Sequence, residues 1–286
     1  MLNNQTLTVS IVVPVYNEED VIINCLKACL EQTCLPKEII VVDNNSFDNS
    51  LHLIANLKRT HKNGELIKVY SEKQQGLVST RNTGFVKARG DIYGRIDADT
   101  IIRTDWVENL SLAFADQEIM GVSGPVLYYD MPWRHFGLKA DLIMRKIVLG
   151  MNKKYRFLFG SNMALRAQAW DKIKDKVCLD KQDLFHEDID ISLHLKEANL
   201  KIAFVPSLVA GISARRMGTS PKEYRNYVKR FSRTYNAHNV KQFGQKTPEY
   251  ILMSIYPPLH ILHKSYGKRF NKLGGLNRYS KKLFRH

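Results

Sequence analysis

Two short acidic clusters carry much of the chemistry this sequence can offer. Asp97-Ala98-Asp99 sets two carboxylates one small residue apart. Where such a pair ends a strand, its oxygens can hold Mg²⁺ or Mn²⁺ and leave water positions open for phosphate oxygens. A solvated acidic turn is the plain alternative for the same residues. Glu187-Asp188 opens a segment of helical pattern. Acidic residues there complement the positive end of a helix, and a carboxylate in that place can also take the proton of an attacking hydroxyl. Arg81 has the chemistry of a diphosphate contact, or of an ordinary surface arginine. Asn162 can bind a hydroxyl or close a turn. Trp133, in Met131-Pro132-Trp133-Arg134-His135, can serve as an acceptor platform, whereas Trp106 and Trp170 read as core anchors. His194 reads as a core-edge histidine.

The elements that must position these residues follow from the hydrophobic pattern. Thr8–Val15 and Lys37–Asp43 are continuous β-branched runs, as expected of strands buried on both faces. Further strands are predicted at Ile67–Tyr70, Ile92–Ile96, Met120–Tyr128 and Lys201–Val205, with an extended stretch over Phe157–Ala164. Helices are predicted from Glu18-Glu19-Asp20 to about Gln32, and over Leu77–Ala88, Trp106–Asp116, Lys139–Leu149, Arg166–Lys174, Asp188–Ala198 and Tyr224–His238. Strands alternating with helices at this spacing predict parallel βαβ units. Ligands of such sheets sit beyond the carboxyl ends of the strands. Asn17, Asp43 and Asp97 each follow or end a predicted strand, so they can converge on one crevice.

Six motifs stand in a fixed order. They are Pro14-Val15-Tyr16-Asn17-Glu18, Val41-Val42-Asp43-Asn44-Asn45-Ser46, Gln75-Gly76-Leu77 with Thr80-Arg81-Asn82, Asp97-Ala98-Asp99, Gly160-Ser161-Asn162-Met163-Ala164 and His186-Glu187-Asp188-Ile189-Asp190. Together they resemble the family 2 glycosyltransferases, over about Thr8 to Ser213. The resemblance implies an α/β GT-A fold, a Rossmann-like, mixed and mainly parallel sheet flanked by helices. It implies inverting transfer from a nucleotide-sugar donor, with a UDP-sugar expected, to a glycan or lipid-linked acceptor of cell-envelope polysaccharide or glycolipid synthesis. It places Pro14, Tyr16 and Glu18 around the nucleoside, Asp43 on the base, and Arg81 near the base or diphosphate. Asp97 would lie near ribose and sugar, and Asp99, with Asp97, would bind the Mg²⁺ or Mn²⁺ cofactor. Asp188 would be the catalytic base, with Glu187 beside it; Asn162 and Trp133 are the acceptor candidates. The chain departs from the family pattern at Asn44 and Asn45 and lacks the QxxRW motif of processive synthases. Arg215-Arg216-Met217 stands where basic diphosphate contacts are expected.

Composition divides the chain. The 286 residues carry a net charge of +15, with fifteen Lys/Arg against two acidic residues from Pro221 to His286. Residues 1–220 therefore read as a glycosyltransferase domain, with a nucleotide-sugar half at about 8–100 and an acceptor half at about 101–215. Residues 221–286 read as a basic helical tail. A tail mixing lysines with the apolar stretch 251–262 suits an anionic membrane surface, or a helix packed on the enzyme with a solvated basic face. Because the candidate catalytic residues all precede it, deletion from Tyr250 is expected to spare donor hydrolysis. Nucleic acid is a poor fit, since no recognition helix or stacking strand motif is present. A non-catalytic sugar-nucleotide scaffold would have little use for the three aspartates Asp97, Asp99 and Asp188. The four cysteines form no zinc-ligand spacing, and reduced thiols match a cytoplasmic location, which the basic tail would make peripheral on the cytoplasmic face of a membrane. No signal peptide is expected from Met1–Leu7.

Overall fold

Runs rich in β-branched residues make the central strands, because both faces of a mainly parallel sheet are covered by helices. The computed structural model describes residues 7–151, 156–240, 246–272, 276 and 283–284. In chain order come β1 (Val9–Val15), α1 (Ile22–Leu30), β2 (Glu38–Asp43), α2 (Ser50–Thr60), β3 (Ile67–Ser71), α3 (Leu77–Lys87) and β4 (Ile92–Ile96). Then follow β5 (Ile101–Ile102), α4 (Trp106–Ala113), β6 (Ile119–Ser123), β7 (Val126–Tyr128), α5 (Arg134–Met151), β8 (Asn162–Arg166) and α6 (Ala167–Ile173). The remainder is α7 (Glu187–Glu197), β9 (Lys201–Phe204), β10 (Ala210–Ile212), α8 (Pro221–Val228), α9 (Arg230–Ala237) and α10 (Thr247–Lys272).

The main sheet has the order β3-β2-β1-β4-β8-β6-β9. β1 lies parallel to β2 and β4, and β2 parallel to β3. β8 runs antiparallel to both β4 and β6, which makes the sheet mixed. Strand alternation sorts the core. Ile11, Val13, Ile39 and Val41 face α1 residues such as Ile22 and Leu26, together with Trp106 of α4. Val12, Ile40 and Val42 face Phe85 of α3 and Trp170 of α6. Each such side chain contributes roughly 1.5–3 kcal/mol when fully buried. Cys25 and Cys29 are buried free thiols within the first cluster.

Three features differ from the sequence expectation. The acidic run Glu18-Glu19-Asp20 precedes α1 and leaves no acidic residue in its first turn. Its carboxylates serve the neighbouring loop instead: Glu19 Oε2 accepts from Asn49 N at 3.0 Å. The expected strand Met120–Tyr128 divides into β6 and β7, which lie in different sheets. Pro125 has no donor for a ladder, and a Cβ on Gly124 would sit 1.8 Å from Leu208 O. The expected helix Tyr224–His238 starts earlier, at the Ser220–Glu223 capping box, and divides at Lys229 into α8 and α9. α10 runs through Pro257 and Pro258 as one helix. Among the described residues, no helix is long and apolar enough to cross a membrane.

Described residues after Pro221 pack on one another and back onto the body. Within this segment, Tyr256 of α10 stacks on Tyr224 of α8 with ring centroids 4.1 Å apart. Phe270, Leu276 and Leu283 are buried with Ile101, Leu127 and Tyr129.

Candidate active site

Three parallel strands end along one edge. β1 stops at Val15, β2 at Asp43 and β4 at Ile96, immediately before Asp97. Asn17 follows β1 with φ 52, a left-handed conformation that asparagine tolerates. Its Oδ1 accepts from Phe47 N at 2.9 Å and ties the β1 exit to the β2 exit. Asp43 is buried, and its Oδ1 accepts from Ser46 N at 3.3 Å, closing the same turn. Asp97 starts a tight turn in which Thr100 N donates to Asp97 O at 2.9 Å.

The two acidic clusters meet through buried arginines. Arg81, from the inner face of α3, pairs with Asp97 at 2.5 Å and also with Glu187. Arg95, fully buried in β4, donates from Nη2 to Glu187 at 2.9 Å and from Nε to Gly160 O at 3.0 Å. Burial opposes ionisation of Glu187, but Arg81 and Arg95 outweigh it and hold the carboxyl below its ordinary range. Asp188 is different. Its Oδ2 accepts from Gly160 N at 2.8 Å and its Oδ1 from Ile189 N at 2.9 Å. Burial and the adjacent Glu187 charge push its carboxyl up to about 6. Gly160 is required here, since a Cβ would lie 2.1 Å from Arg95 Nη2 and 3.2 Å from Asp188 Oδ2.

A second cluster surrounds Asp99. Arg215 makes a bidentate pair with Glu18, at 2.8 and 2.7 Å, and places Nε 3.1 Å from Asp99 Oδ2. Burial pushes the Asp99 carboxyl up and Arg215 draws it back. The charges of Asp97, Glu18 and Asp130 leave it at about 7. The donor set is carboxylate oxygen, negative charge is in surplus, and a guanidinium stands in as cation. These residues fit a hard divalent ion with open water positions.

Residues 10–174 match the family model described as glycosyl transferase family 2, and residues 95–268 match that of glycosyl transferase family group 2. The chain belongs to glycosyl transferase family 2. Glycosyltransferase AglE of Haloferax volcanii is 36% identical over 103 residues, which are 35% of this chain and 33% of AglE. A Methanococcus voltae relative, dolichyl N-acetyl-alpha-D-glucosaminyl phosphate 3-beta-D-2,3-diacetamido-2,3-dideoxy-beta-D-glucuronosyltransferase, is 24% identical over 220 residues. That covers 72% of this chain and 67% of the relative. The chain spans a third to a half of the length of several other curated relatives it matches. The mannosyltransferase PcManGT from Pyrobaculum calidifontis, solved in complex with GDP-Man and Mn²⁺, has a TM-score of 0.64 at 17% identity. The match covers 98% of this chain and 79% of that one. The fold is thus GT-A.

Within this family 2 chain, the remaining predicted residues divide. Tyr16 is 46% exposed at the β1 exit and packs edge-on to Phe47, 6.3 Å between centroids. Phe47 itself is 82% exposed, a platform that motif reading passes over. Pro14 is buried within β1, opposite Val42, so it shapes the strand rather than a pocket wall. Glu18 reaches the Asp99 cluster through Arg215. Arg81 is committed to two carboxylates and buried, so it struts the site and is not a free contact for base or diphosphate.

Asn162 does not reach the crevice. Fully buried in β8, it accepts from Trp106 Nε1 at 2.8 Å and donates to Pro125 O at 3.0 Å and Leu208 O at 2.7 Å. Its amide is spent joining β8 to α4 and to the chain between the sheets. Trp133 is 76% exposed and lines an open groove of about 480 Å³ with Met131, Arg134, His135, Phe136 and Tyr266. Arg95 has a sequence signal of its own: a charge inside an otherwise apolar buried strand, Ile92–Ile96, must find a partner.

The basic tail also touches this site. Tyr256 OH donates to Thr219 O at 2.6 Å and His260 Nδ1 donates to Met217 O at 2.7 Å. α10 therefore holds the turn Arg215–Gly218, whose first residue reaches Glu18 and Asp99. The expectation that deletion from Tyr250 spares donor hydrolysis did not include these contacts.

Proposed function

We propose that this chain transfers a glycosyl group from a nucleoside-diphosphate sugar to an acceptor hydroxyl with inversion at the anomeric carbon. The observation that carries the reading is the unequal treatment of Glu187 and Asp188. Glu187 is neutralised between Arg81 and Arg95. Asp188 is held by two backbone N–H groups and is the carboxylate with proton affinity to spare. Asp188 takes the acceptor proton, the acceptor oxygen bonds to the anomeric carbon, and the bond from that carbon to the phosphate oxygen breaks. Asp97 and Asp99 would hold Mg²⁺ or Mn²⁺, which supplies positive charge for the departing diphosphate. Tyr16 and Phe47 frame the nucleoside, Asp43 reaches toward the base, and Arg215 exchanges its carboxylate partners for diphosphate oxygens.

A UDP-sugar donor and a lipid-linked or glycan acceptor of the cell envelope remain the specific expectation. The M. voltae relative's dolichyl acceptor and PcManGT's GDP-Man define the comparison arms. The exposed Trp133 and Phe136 beside α10, together with the basic tail, favour an acceptor met at an anionic membrane surface. The deciding experiment is Asp188→Asn. It should keep donor affinity while kcat falls by on the order of 10²–10⁴. A near-normal rate in that variant removes Asp188 from the base role.

A further inference from the structure

We propose that Cys178, Asp190, His194 and His238 form a zinc site separate from the Asp97–Asp99 cluster. Cys178 lies between α6 and α7, Asp190 and His194 stand four residues apart on one face of α7, and His238 follows α9. One ligand atom from each lies within 4.8 Å of all the others. His238 Nε2 is 2.6 Å from Asp190 Oδ1, and His194 Nε2 is 3.7 Å from the same oxygen. The two imidazoles meet edge to face, with centroids 4.8 Å apart. Four ligands around zinc, with bonds of roughly 2.0–2.3 Å, need only small side-chain shifts from this arrangement.

The second observation is His194 Nε2, which is buried and has no hydrogen-bond partner, in a residue only 8% exposed. Its other nitrogen, Nδ1, is 3.1 Å from Glu197 Oε2. A carboxylate on Nδ1 fixes the proton there and leaves the Nε2 lone pair aimed into the cluster, as a metal-ligating imidazole requires. Hydrogen bonding satisfies the other members. Asp190 accepts from Cys178 N at 3.0 Å and pairs with His238. An ionised Asp190 has no proton to offer His194, so the network leaves that one atom without a partner. A cation satisfies all four.

Ligand chemistry selects zinc. A sulfur and two imidazole nitrogens suit zinc and disfavour Mg²⁺, which seeks oxygen. Thiolate, carboxylate and Zn²⁺ sum to zero charge, which suits a largely buried place. Coordination releases the Cys178 thiol proton to solvent and leaves His238 protonated on Nδ1 alone. Four protein ligands close the site, so its role is structural. It fastens α9 to α7 at the Asp190–His238 rung, four residues along both helices from the rung at which His186 N donates to Thr234 Oγ1 at 2.9 Å. Glu187 and Asp188 lie between these rungs, so the site steadies the catalytic end of α7.

The test uses the full chain, without a polyhistidine tag, dialysed against metal-free buffer. Elemental analysis should find about one zinc per chain, not displaced by excess Mn²⁺. Cobalt added to the chelated protein should give a thiolate-to-cobalt charge-transfer band. Cys34→Ser should keep that band; Cys178→Ser should lose it, and His238→Gln should lose the zinc. Chelation should lower Tm, with recovery on Zn²⁺ and not on Mg²⁺. Should the two ligand variants fail to fold, the zinc content and cobalt spectrum of the wild-type chain decide. A folded wild-type chain with neither zinc nor a cobalt band overturns the proposal, as does zinc retained by folded Cys178→Ser,His238→Gln.

Discussion

Glu187 and Asp188 are neighbours with opposite electrostatics, and the difference is made by residues far away in sequence. Arg81 and Arg95 hold Glu187 ionised, whereas Asp188 is pushed up by burial and by that charge. Removing the shared carboxylate leaves two buried guanidinium groups underpaired. We therefore predict that Glu187→Gln loses stability by about 3–5 kcal/mol in urea unfolding, whereas Asp188→Asn, which leaves one of two backbone N–H groups without its acceptor, loses rate and shifts its midpoint less. A stable but slow Glu187→Gln would exchange their roles. Arg215 presents a different case, an exposed guanidinium occupying a cation's place between Glu18 and Asp99. Arg215→Ala should tighten Mn²⁺ binding to the donor-free chain by a few-fold, on the scale of ~0.2–1 kcal/mol for an exposed ion pair. Calorimetric titration would measure this, and weaker binding would show that Arg215 does not compete with the ion.

At the scale of elements, α10 has two faces. Tyr256 and Phe270 face the protein, while Tyr250, Ile251 and Ile261 are exposed. Deletion from Tyr250 would also remove Tyr256 and His260, which hold the turn carrying Arg215, so point variants are the cleaner probe of the outer face. We predict that the full chain binds anionic vesicles, with each basic residue near the surface contributing up to ~1 kcal/mol at low salt. Raising salt should weaken binding without abolishing it, because inserted apolar side chains are insensitive to screening. Trp133→Ser combined with Ile261→Ser should remove the salt-resistant part, measured by vesicle sedimentation. A full chain that ignores anionic vesicles at low salt would assign the basic face to solvent.

The whole molecule gathers the strand-end carboxylates at one edge of the sheet and sets beside them the turn Arg215–Gly218, which α10 holds. A donor that bridges these parts stabilises them together. With Mn²⁺ present, the right sugar nucleotide at about 100 times its Kd should add roughly 2.7 kcal/mol of stability. A thermal-shift panel of UDP- and GDP-sugars would identify it. No shift with any sugar nucleotide and metal would contradict the donor reading.

The sequence by itself determined the local parts: buried strands from β-branched runs, carboxylates at strand ends, and the order of six motifs that marks the family. These depend on neighbours within one element, so periodicity and spacing reveal them. The tertiary structure decided the partners. Arg95, silent in the motifs, meets Glu187 across 92 residues of sequence, and Arg215 meets Glu18 across 197. Asn162, legible as a hydroxyl contact, proves to be a buried bracket, because chain crossings place three polar partners around it. Cysteine spacing predicted no metal site, and the one proposed draws ligands from four separated positions. The physical reason is common to all of them. Burial makes an unpaired charge or polar atom costly, but which group relieves it depends on chain crossings that local sequence does not encode.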